Sequence, residues 1–430
     1  MNKIGIRHED KYNLERRSPL VPEDVNELVQ QKVEISIESS DKRIFRDDEF
    51  EKAGAKLSDN LDHCDVILGV KEMPANYFRS GKTYVFFSHV IKGQPYNMPM
   101  LRNLMEAGST LIDYEKIEDN RGRRLIFFGR FAGLAGMINT LWAVGRRYQK
   151  LGVENPFSQL KQAYHYNSLD EAEADIENVA KQIRKTGLPD AMKPLIIAIT
   201  GDGNVSQGAL EIVQLLNGAS ITPLQLINGD YPSESPIITV NILPQDYLNH
   251  KDGESFDLFD YINRPDQYES SIEKLLPQIN VFVNGIYWDE RYPKLIKKRW
   301  LLEQEKSNTL NLKVIGDITC DVHGSIECTE KATEIEDPVF MYDPSSDQYQ
   351  MGFSGKGIAV MAVDILPSEL PREASDHFSK ALKPFIQSIA EADFSVPLSN
   401  LDLPDEIKKA IIVHNGTLTE GYEYLSDFLK

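Results

Sequence analysis

Leu195-Ile196-Ile197-Ala198-Ile199-Thr200-Gly201-Asp202-Gly203-Asn204-Val205-Ser206-Gln207-Gly208-Ala209 decides the fold. Leu195 to Thr200 is a continuous apolar run of strand length, and Leu210 to Leu216 has helical spacing, so the glycines lie in a strand–turn–helix. In a dinucleotide-binding unit the first glycine, here Gly201, allows the tight turn. The second, Gly203, lets the backbone approach a pyrophosphate that faces the helix N-terminus. The third position is Ser206, which gives G-x-G-x-x-S-x-x-A. Glycine turns also serve backbone needs alone, but a strand before and a helix after favour a cofactor turn.

Outward from this turn, strands are expected at Ile221 to Leu226, Ile237 to Ile242, Val281 to Ile286 and Leu312 to Asp317. Ser168-Leu169-Asp170-Glu171 opens a helix that ends near Gly187. Residues 228–263, rich in proline, serine and acids, read as a long surface excursion. Towards the N-terminus, Ile4 to Arg7, Val33 to Ile37, Val66 to Val70, Tyr84 to Phe87 and Thr110 to Ile112 read as strands. Glu23 to Gln31, Asp48 to Ala53 and Pro99 to Ala107 read as helices between them, the last two closed by Gly54 and Gly108. Alternation of this kind implies parallel sheets. The fold class is therefore α/β, two doubly wound Rossmann-like domains. Residues 141–354 form the dinucleotide-binding domain, and residues 1–140 form a substrate domain completed by 355–430, where Ile358 to Val363 is a strand and Pro371 and Pro404 begin helices.

With 430 residues, 41% hydrophobic and 26% charged, the chain can bury sizeable cores. A formal net charge of −19 argues against a nucleic-acid or anionic-membrane partner and for small molecules. Cys64, Cys320 and Cys328, with no C-x-x-C pair, fit reduced thiols in the cytosol. Lys3-Ile4-Gly5-Ile6-Arg7 has no apolar signal core, which points to a cytoplasmic address. Leu125 to Val144 is interrupted by Arg130 and Asn139 and reads as a buried helix linking the domains, with Gly133 and Gly136 suited to close packing. No metal site is expected.

In open α/β sheets ligands collect beyond the carboxyl ends of the strands. Arg7, the loop Glu15-Arg16-Arg17-Ser18-Pro19, Lys71, His89 and Asp113 all follow or end such strands, so they fall on one edge. A lone lysine is usually a solvated charge and a lone histidine a satisfied polar group. Titratable groups converging with arginines on a ligand edge point to a site. Glu115 to Phe128 reads as a hairpin turned at Asn120-Arg121-Gly122 that carries Arg123 and Arg124, whose planar forks suit carboxylate or phosphate as well as water.

Several motifs resemble one family. Glu15-Arg16-Arg17-Ser18-Pro19-Leu20-Val21-Pro22, Leu68-Gly69-Val70-Lys71-Glu72-Met73-Pro74, Phe86-Phe87-Ser88-His89-Val90-Ile91-Lys92-Gly93-Gln94 and Phe131-Ala132-Gly133-Leu134-Ala135-Gly136-Met137-Ile138-Asn139 are similar to the lysine-ketoglutarate reductase half of the bifunctional aminoadipic semialdehyde synthases. Gly203-Asn204-Val205-Ser206, Val283-Asn284-Gly285-Ile286-Tyr287-Trp288 and Leu366-Pro367-Ser368-Glu369-Leu370-Pro371-Arg372 extend the resemblance over nearly the whole chain. Lysine-forming saccharopine dehydrogenases are more distant relatives, and alanine dehydrogenases and transhydrogenases share the architecture.

The resemblance implies saccharopine formation from L-lysine, 2-oxoglutarate and NAD(P)H. It implies Lys71 and His89 as the acid–base pair and Arg17, Gln94, Arg124 and Phe128 as substrate contacts. Arg123, Gly201, Gly203, Asn204, Val205, Ser206, Asn284, Gly285, Ile286, Asp317 and Asp321 would contact the cofactor. It leaves the glutamate-forming step to a separate saccharopine dehydrogenase acting downstream. The resembled half favours NADPH, yet no Lys or Arg lies between Lys193 and Lys251, and the residues past the expected second strand are Gln225, Asn228 and Asp230. The expectation is NADP(H) with modest discrimination, so that NAD(H) also works. The alternatives are an alanine-dehydrogenase-like or opine-forming enzyme on another amine, and a non-catalytic nucleotide-binding regulator.

Overall fold

The computed structural model describes residues 1–430 and divides them into two compact units, residues 1–128 with 371–430, and residues 129–370. The first unit begins with strands β1 (Ile4–Ile6), β2 (Ile35–Glu38), β3 (Lys56–Ser58), β4 (Val66–Leu68), β5 (Thr83–Phe86) and β6 (Thr110–Asp113) and helices α1 (Pro22–Gln30), α2 (Asp47–Lys52) and α3 (Met98–Glu106). The second unit holds α4 (Gly129–Lys150), α5 (Leu169–Thr186), α6 (Asn204–Gln214), α7 (Pro223–Asn228), α8 (Pro244–Tyr247), α9 (Leu258–Asn263) and α10 (Lys298–Lys306). Its strands are β7 (Leu195–Thr200), β8 (Ala219–Ile221), β9 (Ile237–Ile242), β10 (Leu248–His250), β11 (Tyr268–Ser270), β12 (Val281–Asn284), β13 (Val314–Asp317), β14 (Val339–Asp343), β15 (Gln348–Met351) and β16 (Ile358–Met361). The chain then returns to the first unit with α11 (Pro371–Glu391), α12 (Asp405–Lys409), β17 (Ile411–His414) and β18 (Thr417–Leu418).

In the first unit the sheet order is β18-β17-β6-β5-β4-β1-β2-β3. β1 to β6 run parallel, so their carboxyl ends share one edge, while β17 pairs antiparallel with β6. Ile4, Ile6, Val66, Leu68, Val85 and Phe86 are buried, as a sheet covered by helices on both faces requires. The returning helix α11 is stapled to the loop before α1. The Ser375 hydroxyl accepts from Ser18 N at 2.9 Å, and the Ser379 hydroxyl accepts from Val21 N at 3.0 Å and donates to Asp24 at 2.5 Å. Those bonds fix the segment that carries Arg17.

In the second unit the order is β15-β14-β16-β13-β12-β7-β9-β8, with β14 and β15 antiparallel at one edge. The expected strand Ile221 to Leu226 is not formed. β8 stops at Ile221 and α7 starts at once, because Pro223 suits the first helical position and the Thr222 hydroxyl accepts from Gln225 N at 3.2 Å. The expected hairpin over 115–128 is reduced to one bridge between Glu118 and Arg124. The sequence places the domain boundaries at 140 and 355, whereas the units divide at 128/129 and 370/371. α4 lies wholly in the second unit, and β16 is hydrogen-bonded between β13 and β14 in its sheet. None of the helices is long and apolar enough to cross a membrane.

The glycines of α4 and α6 explain how these two helices pack. A Cβ on Gly133 would collide with the Val205 carbonyl, and one on Gly208 with the Arg130 carbonyl, so the helix backbones touch. On an uncrowded helix Gly→Ala stabilises by up to about 1 kcal/mol. Gly133→Ala is expected to do the opposite and cost about 2 kcal/mol or more, since backbone cannot yield as a flexible side chain can. Urea unfolding checks the sign; a stabilised variant would contradict the packing described.

Candidate active site

The carboxyl edge of the first sheet gathers Arg7, Lys71, His89 and Asp113 from neighbouring strands β1, β4, β5 and β6. Two carboxylates to which the sequence alone assigns no role organise this edge. Glu9 is buried and clasps the segment after β4, its Oε1 accepting from Val70 N at 2.6 Å and its Oε2 from Lys71 N at 2.9 Å. Burial, reinforced by nearby Glu15, pushes its carboxyl up to about 7 against the pull of those two N–H groups. Glu72 is also buried; its Oε1 accepts from His89 Nδ1 at 2.8 Å and from Lys11 Nζ at 2.5 Å. Burial alone would raise its pKa, but His89 and then Lys11 hold it at about 2.

His89 sits in the left-handed region, φ 50°, a costly conformation for a side chain with a Cβ and one that collects at functional sites. The preceding residue holds it there. Ser88 donates from its N–H, 3.2 Å, and its hydroxyl to buried Asp113, whose other oxygen accepts from Glu115 N at 2.8 Å. Burial pushes Asp113 up to about 6. With Nδ1 on Glu72, Nε2 is the histidine nitrogen left for chemistry.

Arg17 is buried and forked onto Glu15, with Nε to Oε1 at 2.8 Å and Nη2 to Oε2 at 2.5 Å. Glu15 is held low despite burial, by Arg17 first and also by the charge of Lys71. The Arg17 guanidinium lies 4.2 Å from the centre of the Phe128 ring, which stacks on Phe378 at 4.7 Å. Phe87 contacts Phe128 at 6.0 Å and lies parallel to His89 at 6.1 Å, so one aromatic cluster joins Arg17 to His89. The Lys71 ammonium is 6.0 Å from the Tyr12 ring.

Other expected residues lie further out. Arg124 is half exposed and paired with Glu115, while Arg123 is exposed and tied to Asp119 by Nε at 2.7 Å. Gln94 is half-buried and accepts from the Tyr96 hydroxyl at 3.2 Å.

The edge of the second sheet has its own construction. Gly201 takes φ 89°, and a Cβ there would lie 2.9 Å from Ser206 Oγ and 3.0 Å from Ile286. At Gly203 a Cβ would meet nothing within 4 Å, so that backbone faces open space where a pyrophosphate could approach. Gly203 is the N-cap of α6 and no side chain caps it, so the first-turn N–H groups of Asn204, Val205 and Ser206 are the ones an anion would use. These features fit a dinucleotide.

Ser206 is buried and works as a pin. Its hydroxyl donates to Thr200 O at 2.7 Å, and a Cβ on Gly285 would lie 2.7 Å from it. Asn284 and Asp317 are buried and bonded to each other at 2.8 Å, and Asp317 also accepts from Thr319 at 3.0 Å and from Thr329. With those side chains engaged, the stretch Asn284-Gly285-Ile286 offers a cofactor mainly its backbone and Ile286. Asp321 is exposed and its carbonyl accepts from Gly324 N at 2.8 Å.

Residues 5–135 match the alanine dehydrogenase/PNT N-terminal domain and residues 239–421 its C-terminal domain. The chain is thus similar to both domains of the alanine dehydrogenase/PNT family. It is 38% identical to an alpha-aminoadipic semialdehyde synthase of Arabidopsis thaliana over 99% of this chain and 41% of the relative. It is 29% identical to a Neurospora crassa saccharopine dehydrogenase [NAD(+), L-lysine-forming] over 90% of this chain and 91% of the relative. A solved L-alanine dehydrogenase shares the fold, with a TM-score of 0.65, 17% identity and full coverage of both chains. The resemblance read from the motifs is therefore shown, and with it the α/β Rossmann-like fold class. The chain spans less than half the length of the first curated relatives it matches, 41% and 47%.

Glu9 gives this site a measurable signature. Its carboxyl ionises at about 7 here and at 4.5 when unperturbed, so folding is weakened as pH rises through that interval. Glu9→Gln removes this decline and sets an amide NH2 against a backbone N–H, at a cost of about 1–3 kcal/mol at pH 5.5 that shrinks at pH 8. Urea unfolding at both pH values measures it; a variant matching the wild type at both would mean that Glu9 does not hold the Lys71 segment.

Proposed function

We propose that this chain joins the ε-amine of L-lysine to the ketone of 2-oxoglutarate and reduces the product to saccharopine, reversibly, with a nicotinamide cofactor. The observation that carries the reading is the pairing of Lys71 and His89 at the ends of adjacent strands β4 and β5, tied together through Glu72. Kinship to proteins named for aminoadipic semialdehyde and saccharopine supports it. Forming a carbon–nitrogen bond between an amine and a ketone needs a neutral amine, proton transfers through a carbinolamine, loss of water and then a hydride. A reduced nicotinamide nucleotide supplies that hydride when bound.

The chain's own residues supply the rest. Lys71 and His89 move protons, the lysine taking one from the attacking amine and His89 Nε2 giving one to the departing hydroxyl. Glu72 keeps the imidazole oriented through Nδ1, and Glu9 keeps Lys71 at the strand end. Substrate carboxylates, two from 2-oxoglutarate and one from lysine, are assigned to Arg17, Arg124 and Gln94, with Phe128 against their carbon chains. Arg17 would meet a substrate carboxylate with the guanidinium nitrogen that its fork onto buried Glu15 leaves over, and Arg124 with the nitrogens not engaged by Glu115. For the cofactor we assign Gly201, Gly203, Asn204 and Val205 to the phosphates, Ser206 to their support, and Asn284, Gly285, Ile286, Asp317 and Asp321 to the nicotinamide end, with Arg123 as a further contact. Unpaired Cys64, Cys320 and Cys328 suit the reducing cytosol, and the saccharopine made would pass to a separate glutamate-forming dehydrogenase.

Two measurements test this. Nicotinamide oxidation with 2-oxoglutarate should be far faster with lysine than with ornithine, alanine or ammonia; faster turnover of ammonia or alanine would overturn the reading. Lys71→Met and His89→Gln should each lower kcat about 10²- to 10⁴-fold while nucleotide affinity stays near wild type. Near-normal turnover in either variant would remove that residue from the chemistry.

A further inference from the structure

The strand that decides cofactor choice is not the one that comes second in the sequence. In a dinucleotide-binding sheet the residue that reads the adenosine ribose follows the strand lying beside the glycine-turn strand. Here that neighbour is β9, not β8: β9 pairs with β7 along its whole length, Leu195 with Ile237 to Thr200 with Ile242, while β8 lies outside β9. The glycine turn is bonded to its end, Gly201 N donating to Ile242 O at 2.9 Å. Gln225, Asn228 and Asp230, the candidates that the linear order suggests, instead lie on and just after α7, beyond the outermost strand.

Past β9 the chain reads Leu243-Pro244-Gln245-Asp246. α8 starts at Pro244, and Asp246 in its first turn folds back so that Oδ2 accepts from Leu243 N at 2.7 Å. That bond places a carboxylate at the carboxyl end of β9, exposed, with Oδ1 in no hydrogen bond of its own. No Lys or Arg lies between Lys193 and Lys251, and Arg264 and Arg291 are committed to Asp260 and Asp289.

We infer that Asp246 reads the adenosine ribose, accepting from its 2′-hydroxyl and repelling a 2′-phosphate, so that the chain takes NAD(H) in preference to NADP(H). The inference rests on the reading of the glycine turn as a nucleotide site, and it reverses the NADP(H) preference that the resemblance implies.

The test is direct binding on the full chain, followed by nicotinamide fluorescence, with no amine or oxo acid present. NADH should bind about tenfold or more tightly than NADPH, a margin that one opposed charge can supply. Asp246→Asn keeps an acceptor oxygen for Leu243 N and should bring the two Kd values within about threefold, chiefly by strengthening NADPH. Gln245→Arg leaves the cap intact and should also strengthen NADPH. Equal or tighter NADPH binding by the wild type, an unchanged ratio in Asp246→Asn, or binding of neither nucleotide overturns the inference. Failure of lysine as substrate with the NADH preference intact would sink the saccharopine reading and leave this one standing.

Discussion

Ionised Glu72 is the fixed point of the first unit. Its Oε1 accepts from both His89 and Lys11, and these two charge-assisted bonds outweigh what burial takes from it. The consequence is geometric. β4 and β5 end side by side, and Glu72 bridges the segments that leave them, so Lys71 and His89 cannot drift apart without exposing or orphaning a buried charge. Glu9 does the same for the backbone beneath Lys71, and Asp113 for Ser88 beneath His89. Three acids thus hold the edge on which the proposed proton transfers occur, and each bond reaches across strands from different parts of the chain.

The second unit solves its close approaches without charge. Gly133 and Gly208 let two helix backbones touch, and Gly201 and Gly285 leave room for the Ser206 hydroxyl, which ties the glycine turn to β7. Serine in the third glycine position therefore reads as a pin: it fills the gap that the neighbouring glycines open and satisfies a carbonyl at the strand end.

Much of this is legible in the sequence. Leu195 to Thr200 and the glycines after it locate the nucleotide edge, because a buried parallel strand must be apolar throughout and a tight turn must use glycine. Lys71, His89 and Asp113 fall together because parallel strands end on a common edge. The strand order does not show: nothing in a linear pattern places β9 inside β8, and so the loop after β8 is taken for the one that follows the neighbour of β7. α7 is hidden by its apolar Leu224, Leu226 and Ile227, although Thr222-Pro223 and Gln225 carry the cap. Glu9 and Glu72 look like solvated charges until the N–H groups and the imidazole they meet are known. The antiparallel strands β14, β15 and β17 depend on partners that only the folded chain supplies.

The central claim is that one chain joins two carbon skeletons through the side-chain nitrogen of lysine. It is tested most directly by supplying lysine labelled with 15N at the ε position, 2-oxoglutarate and NADH, and identifying the product by mass spectrometry. The account predicts a single secondary amine that contains both skeletons and retains the label at the bridging nitrogen. Consumption of NADH with the labelled lysine recovered unchanged and the oxo acid reduced to its hydroxy acid would contradict it.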